Sequence, residues 1–395
     1  MTDTEALAAN FDVVIIGGGI HGAGIAQACS AAGYSCLLLE KNTWASATSS
    51  KSSKLLHGGL RYLQTGQLKL VHECLQERER LLKNAPSLAR INQFYLPIYK
   101  HSKLPAWKVF IGLSLYRLLT GIANQHSQFR IVPRTQWHTL HGLNTENLST
   151  VFCYQDAQTD DKLLTIAVKN SAESLGCVAL EQAELLSASK NKTGWKIDIH
   201  HQTTVKSIYS ALLINTSGPW VNEVVHRCGR KQQLAIELVQ GTHIILDNKI
   251  SDACFYLEAS DQRAVFVLPW HKKTLVGTTE TLHQTAPENT APTEKEIQYL
   301  LNTVKQYFPD ADLSIAETFS GLRVLPTSDK KAFFRQRDTR LLDDEGLISV
   351  YGGKLTAYRA TAEKLVPLVQ QYLGKRQQKA DTRNLPLSHP SAADN

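Results

Sequence analysis

Phe11-Asp12-Val13-Val14-Ile15-Ile16-Gly17-Gly18-Gly19-Ile20-His21-Gly22-Ala23-Gly24 stands near the start of the chain, and most of the architecture follows from it. The apolar run before the glycines reads as a buried parallel strand. Ile20 to Ala32 is rich in alanine and reads as a helix that Gly33 stops. Tyr34-Ser35-Cys36-Leu37-Leu38-Leu39-Glu40 is a second apolar strand ending in an acid. Strand, glycine turn, helix and strand form a complete βαβ unit. Within it, Gly17-x-Gly19-x-x-Gly22 is a dinucleotide signature. The first glycine makes the tight turn, the second lets backbone approach a pyrophosphate, and the third packs helix on strand. Glu40 lies 18 residues beyond Gly22, close to the ~20 expected of an acid that binds a ribose hydroxyl. An acid there repels a 2′-phosphate, which disfavours NADP.

Outward from this unit, Asn42 to Ser53 reads as a Ser/Thr/Ala-rich loop, and helices are expected over 68–85, 104–122, 161–175 and 355–373. Strands are expected at 178–181, 195–200 and 211–216, the last running into Ser217-Gly218-Pro219. Val239–Leu246, Ala264–Pro269 and Thr274–Gly277 alternate as antiparallel strands do, and Leu347–Tyr351 is a further strand ending at Gly352-Gly353. The segment from Gly374 to Asn395 is polar and is expected to be poorly ordered. The fold class is therefore α/β: a Rossmann-like nucleotide-binding domain built from discontinuous segments, with an inserted antiparallel-sheet domain. The boundaries expected are 1–95, 150–230 and 320–374 for the first, 96–149 and 231–319 for the second, and 375–395 for a polar tail.

The 395 residues carry a net charge of +7, with 43% hydrophobic and 20% charged residues. That composition excludes wholesale disorder and collagen-like repeats. A modest basic excess suits anionic small molecules or an anionic membrane surface, and no nucleic-acid-binding pattern occurs. Seven scattered cysteines without a C-x-x-C pair argue against a disulfide framework or zinc cluster and fit a reducing cytoplasmic compartment. No apolar run reaches the ~18 residues of a membrane-spanning helix. The histidines show no metal spacing, and the nucleophile-elbow and P-loop motifs of hydrolases and NTPases are lacking; no metal is expected.

FAD and NAD both fit the glycine signature, and two features favour FAD. The hydroxyl-rich loop after Glu40 suits a long extended cofactor. Tyr351-Gly352-Gly353-Lys354-Leu355-Thr356 opens a late helix whose N-terminus, with Lys354, suits the negative N1/C2 edge of a reduced flavin. A second cluster, Lys54-Leu55-Leu56-His57-Gly58-Gly59-Leu60-Arg61-Tyr62, places anion-binding and proton-transferring groups beside that loop. A third, Ser320-Gly321-Leu322-Arg323, is followed by Arg335 and Arg337. Converging arginines suit a phosphate or carboxylate, although any one of them on its own is more often a surface residue.

Together these motifs resemble the FAD-dependent glycerol-3-phosphate dehydrogenases of the D-amino-acid-oxidase-like (DAO) flavoprotein superfamily. The resemblance runs from about residue 11 to 372, through Asn215-Thr216-Ser217-Gly218-Pro219-Trp220, Gly241-Thr242-His243, Gly277-Thr278-Thr279 and Gly352-Gly353-Lys354-Leu355-Thr356. Ser53-Lys54-Leu55-Leu56-His57-Gly58-Gly59-Leu60-Arg61-Tyr62 is its most discriminating part. It implies an oxidoreductase that oxidises sn-glycerol 3-phosphate to dihydroxyacetone phosphate by hydride transfer to flavin N5, in glycerol metabolism, with electrons passing to a quinone or other acceptor. It implies cofactor contacts at Gly17, Gly19, Gly22, Glu40, Thr48, Ser49, Ser53, Gly58, Gly218, Gly353, Lys354, Leu355 and Thr356. Arg61, Tyr62, Arg323, Arg337 and Lys354 are the expected substrate ligands, and His57, His243, Arg323 and Lys354 the expected catalytic group. A neutral histidine is the natural base at pH 7, and the choice between His57 and His243 stays open.

The chain departs from that family in three places. Members usually continue into a helical C-terminal domain where only a short polar tail follows here, Thr242 replaces a usual Ser, and Glu280 replaces a usual Asp. The stretch 104–122 mixes Trp107, Phe110, Ile111, Leu118 and Leu119 with Lys103, Lys108 and Arg117. That is the pattern of an interfacial basic amphipathic helix, and equally of a core-facing one. The expected location is cytoplasmic and peripheral on the inner face of the membrane, with a homodimer left open. Alternatives are a flavoenzyme acting on another small hydroxy acid or amine, and an FAD-binding homologue without catalysis.

Overall fold

A computed structural model of the chain describes residues 10–64, 66–121, 124–140, 142–327 and 339–391. The first strands in chain order are β1 (Asn10–Ile16), β2 (Cys36–Leu39), β3 (Leu55–Leu56), β4 (Ala89–Tyr99), β5 (Phe129–Ile131) and β6 (Leu148–Thr159). They are followed by β7 (Val178–Leu180), β8 (Ala183–Asn191), β9 (Gly194–His201), β10 (Thr204–Asn215), β11 (Ile236–Leu246) and β12 (Cys254–Glu258). The last are β13 (Ala264–Trp270), β14 (Lys273–Gly277), β15 (Thr281–His283), β16 (Ile315–Pro326), β17 (Arg340–Asp344) and β18 (Leu347–Tyr351). The helices are α1 (Ile20–Ala31), α2 (Leu60–Gln64), α3 (Leu68–Asn84) and α4 (Ala106–Thr120), then α5 (Asp161–Ser174), α6 (Val221–Arg227), α7 (Glu294–Tyr307) and α8 (Tyr358–Leu373).

The strands form two sheets. In the first, the order is β17-β18-β10-β1-β2-β7, with β9 and β8 extending from β10. β18, β10, β1, β2 and β7 run parallel. Their residues are apolar on both faces because helices cover one face and the β8–β9 hairpin with α6 covers the other. β1 is paired with β2 on one side and β10 on the other, so the chain reverses direction of travel across the sheet there. The crevice outside the carboxyl ends of β1 and β10 is where such sheets bind ligands. α1 is buried along almost its whole length, which explains its small residues: a Cβ on Gly24 would come within 2.5 Å of the Tyr358 ring on α8.

The second sheet is largely antiparallel, in the order β15-β11-β14-β13-β12-β4-β6-β3, with β16 beside β11 and β5 beside β6. α7 packs on it, started by a capping box between Thr293 and Glu296. β4, β6 and β16 belong to this sheet, although the boundaries expected from sequence gave 1–95, 150–230 and 320–374 to the nucleotide-binding lobe. The chain crosses between the lobes more often than composition reveals, and these long strands pair with partners remote in sequence.

A second correction concerns the tail. Residues 374–391 lie against the first lobe: Lys379 donates its backbone N–H to Ala31 O and Leu387 donates to Asn84 O. Leu387 is buried among Leu81, Leu88 and Leu164, and Arg383 pairs with Glu363 of α8. An apolar anchor and backbone pairing order this segment despite its polar composition. All seven cysteines are buried free thiols. Among the described residues no helix is long and apolar enough to cross a membrane.

Candidate active site

A cleft of about 410 Å³ opens at the carboxyl end of β1 and runs between the two sheets. Its floor is the Gly17–Gly22 turn. Gly17 has φ +108°, and a Cβ there would meet the Thr216 carbonyl oxygen at 2.7 Å. Thr216 in turn donates its hydroxyl to Ile16 O at 2.8 Å, so the ends of β1 and β10 are stitched beneath the cleft. Gly22 does not reach the wall: a Cβ on it would overlap the Gly17 carbonyl, so this glycine serves helix–strand packing.

Glu40 closes one end. Its carboxylate accepts from the backbone N–H of Gly18 at 2.7 Å and of Asn42 at 2.8 Å, while burial raises its pKa above the ordinary carboxylate range. The loop after it borders the cleft through Ala45 to Ser53. Ser49 Oγ accepts the N–H of Ile20 at 2.9 Å, which caps α1 from outside the helix. Thr48 donates its hydroxyl to Leu322 O at 2.8 Å, pinning the loop to β16. Gly218, Gly353, Lys354, Leu355 and Thr356 line the opposite wall.

His21 lies on the same side of the cleft, beside Gly353. Both ring nitrogens are covered and have no hydrogen-bond partner among the described residues. The ring lies against Gly353, where a Cβ would fall 1.9 Å from Nε2, and burial pushes its pKa down to about 4. The glycines at 17, 19, 218 and 353 leave the cleft wall without side chains along its length. A long polar cofactor threading from the α1 N-terminus past Gly353 fits these residues.

At the far end, side chains of both lobes converge. His57, Tyr62, His243, Arg323 and Lys354 all line the same cleft. Lys354 Nζ sits 3.5 Å from the centre of the Tyr62 ring, a cation–π contact. His57 donates its backbone N–H to Thr356 Oγ1 at 3.2 Å. His243 Nε2 lies 2.9 Å from Ser53 Oγ, and its ring stacks on Phe319 at 4.9 Å. Burial, with the nearby charges of Arg323 and Lys54, pushes His243 down to about 3. Arg323 pairs with Glu280 at 2.9 Å and donates to Thr278 Oγ1 and Thr279 O, each at 3.0 Å. The cation expected to face a ligand is therefore already oriented by a carboxylate. The side chain of Arg61 and all of Arg337 lie outside the described residues. Gly58 sits just behind the wall, its Cβ position blocked by Leu75 and Tyr116.

Sequence reasoning missed four of these features. Asp156 and Glu280 both line the cleft; Glu280 registered only as a variation on Asp, and Asp156 not at all. Tyr116 sits on a helix whose apolar residues mask it. His21 falls inside the glycine signature at a position the signature leaves unspecified.

Comparison with known proteins gives this geometry a lineage. Residues 12–366 match the DAO family, described as FAD dependent oxidoreductase. The chain is 34% identical over 404 residues to a glycerol-3-phosphate dehydrogenase of Synechocystis, covering 95% of this chain and 73% of that protein. It is also 34% identical over 370 residues to a D-erythritol 1-phosphate dehydrogenase of Brucella abortus, covering 89% of this chain and 72% of that protein. The crystal structure of the glycerol-3-phosphate dehydrogenase from Bacillus halodurans complexed with FAD superposes with a TM-score of 0.75 at 27% identity, covering 97% of this chain and 69% of that one. The turn at Gly17–Gly22, the half-buried Glu40 and the two-sheet cleft are thus those of a flavoenzyme: this chain belongs to the DAO family of FAD-dependent oxidoreductases, and its cofactor is FAD.

Proposed function

We propose that this chain oxidises sn-glycerol 3-phosphate to dihydroxyacetone phosphate and passes the electrons to a quinone at a membrane surface. The observation that carries the reading is the convergence, at one end of the cofactor cleft, of two cations, Lys354 and Arg323, with two histidines, His57 and His243. The similarity to dehydrogenases of phosphorylated polyols supports it. The Gly17–Gly22 turn, Glu40, the 45–53 loop and the Gly353–Thr356 turn hold the cofactor. FAD, when bound, supplies the acceptor for the hydride that leaves C2 of the substrate.

The protein's own groups do the rest. Arg323 and Lys354, with Arg61 and Arg337, hold the phosphate through charge-assisted hydrogen bonds. Tyr62 flanks the polyol. His57 takes the proton of the C2 hydroxyl, because His243 at about 3 is a poor base and its Nε2 already faces Ser53. His243 then serves as a neutral polar wall. The first lobe carries the cofactor and the second closes over the substrate. α4 supplies the membrane contact, since Trp107, Phe110, Ile111 and Leu118 are exposed on it beside Lys103 and Lys108. A second reading is favoured by the erythritol-phosphate relative: the polyol is one carbon longer and the chemistry at the cleft is the same.

The test is anaerobic bleaching of the FAD-loaded protein. Glycerol 3-phosphate should bleach the flavin and reduce a quinone analogue. Faster bleaching by D-erythritol 1-phosphate favours the second reading. No bleaching by either removes both.

A further inference from the structure

From Asp156 at the cleft wall inward, a buried hydrogen-bond chain ties the turn that carries His57 to two helices. Gly58 donates its backbone N–H to the Tyr116 hydroxyl at 2.8 Å. That hydroxyl donates to Asp156 Oδ2 at 2.8 Å. Arg78, itself fully buried, donates to Asp156 Oδ1 at 2.9 Å. Tyr116 and Asp156 are 2% and 3% exposed, so water does not compete for these bonds. The turn has little freedom left. A Cβ on Gly58 would lie 2.8 Å from the Tyr116 ring, and one on Gly59, at φ +78°, would lie 2.3 Å from the Tyr62 ring. On the other side the His57 N–H is held by Thr356, next to the cofactor-binding Lys354.

We propose that Tyr116 is a positioning residue of the active site: its hydroxyl, anchored by Asp156 and Arg78, fixes the Gly58 peptide and so sets where His57 and the α2 residues after it stand against the flavin and substrate. Among the described residues, the phenol is the group that both accepts from the turn and donates to the anchor. Phenylalanine would fill the same volume yet leave the Gly58 N–H and one Asp156 oxygen without their partner. A displacement of about 1 Å in a reacting group costs on the order of 10²-fold in rate. Tyr116 acts through the turn and touches neither reacting atom.

The inference rests on the flavoenzyme reading above, so its test has one arm that needs no substrate. In the FAD-loaded protein, Tyr116→Phe should retain the cofactor and speed hydrogen exchange at the Gly58 amide at least about tenfold. Bleaching by glycerol 3-phosphate should slow about 10–100-fold, while bleaching by dithionite, which needs no positioned base, should not change. Val71→Ala, in the same apolar cluster as Tyr116 and Leu75, lowers packing without touching the chain of bonds and should leave both rates as in the wild type. Wild-type exchange at Gly58 in Tyr116→Phe, or equal effects from Val71→Ala, overturns the proposal. If glycerol 3-phosphate fails to bleach even the wild type, the substrate reading falls and the exchange arm still decides the role of Tyr116.

Discussion

His243 stacks on Phe319, faces Ser53 through Nε2 and stays neutral down to about pH 3; His21, with both nitrogens covered, stays neutral to about 4. In the unfolded chain both take up a proton near 6.5. Below that value the unfolded state binds more protons than the folded one, so stability is complete above about pH 6.5 and declines as pH falls. The limiting slope is about 1.4 kcal/mol per pH unit for each histidine. Glu40, Asp156 and Asp161, whose values burial raises, work in the opposite sense at lower pH. Urea unfolding of the FAD-free protein at pH 6.5 and 5 should show this loss, and His243→Asn should make it shallower. An unchanged midpoint between those two pH values would show that the histidines are not buried neutral. Arg323 gives a second residue-level test. Arg323→Ala removes charge-assisted bonds worth about 1.5–3 kcal/mol, so KM for glycerol 3-phosphate should rise about 10–100-fold with FAD still bound. Arg323→Lys should recover part of that, and a wild-type KM in the alanine variant removes Arg323 from the phosphate site.

At the scale of elements, α4 is apolar on two faces. Val109, Leu113 and Tyr116 turn inward, while Trp107, Phe110, Ile111 and Leu118 stay 48–61% exposed. Lys103 and Lys108 flank the outer stripe, which suits an anionic bilayer. The triple variant Trp107→Ser, Phe110→Ser, Ile111→Ser should therefore lose at least about tenfold in binding to vesicles containing an anionic lipid, since each buried apolar side chain is worth about 1.5–3 kcal/mol. Dye-linked activity in solution should persist, and unchanged vesicle binding would assign the stripe to something else. This helix also shows how far sequence carries. Its bounds were legible from periodicity to within two residues at each end, as were β1, α1 and β2 from the glycine signature. Of the second sheet, β11, β13 and β14 were legible as antiparallel strands, and β4, β6 and β16 were not. β6 and β16 pair with β4 and β11 across long stretches of chain, and their residues are buried on both faces in places, so no clean alternation marks them. The site shows the same division. Single residues such as His57, Arg323 and Lys354 could be named from motifs. Their partners could not: Glu280 against Arg323, Ser53 against His243 and Tyr116 against Gly58 are meetings that only folding makes.

Across the whole molecule, the two ends of α1 face different tasks. Its N-terminus opens on the cofactor cleft, and its C-terminus is clasped by the tail. Lys379 donates to Ala31 O, and Gly33, at φ +96°, allows the Gln377 carbonyl to approach where a Cβ would fall 2.4 Å away. Farther on, Asn84 exchanges bonds with the tail: its side chain donates to Arg383 O at 2.9 Å and its carbonyl accepts from Leu387. Leu387, 6% exposed, fills the gap between α3 and α5. The Ala31 and Gly33 contacts stand at the end of α1 away from Gly17, and none of the described tail residues lines the cofactor cleft, so the tail bears on stability rather than on the cofactor. Truncation after Gly374 should cost at least about 2 kcal/mol, since it removes the buried Leu387 side chain together with the backbone bonds to Ala31 and Asn84. Leu387→Ala alone should account for about 2 kcal/mol of it. Thermal unfolding of the FAD-loaded protein should reveal the loss, while flavin content and the visible spectrum stay those of the full chain. A truncated protein that melts at the full-length temperature would mean the tail merely rests on the surface, and one that loses flavin would mean that strain at the far end of α1 reaches the glycine turn.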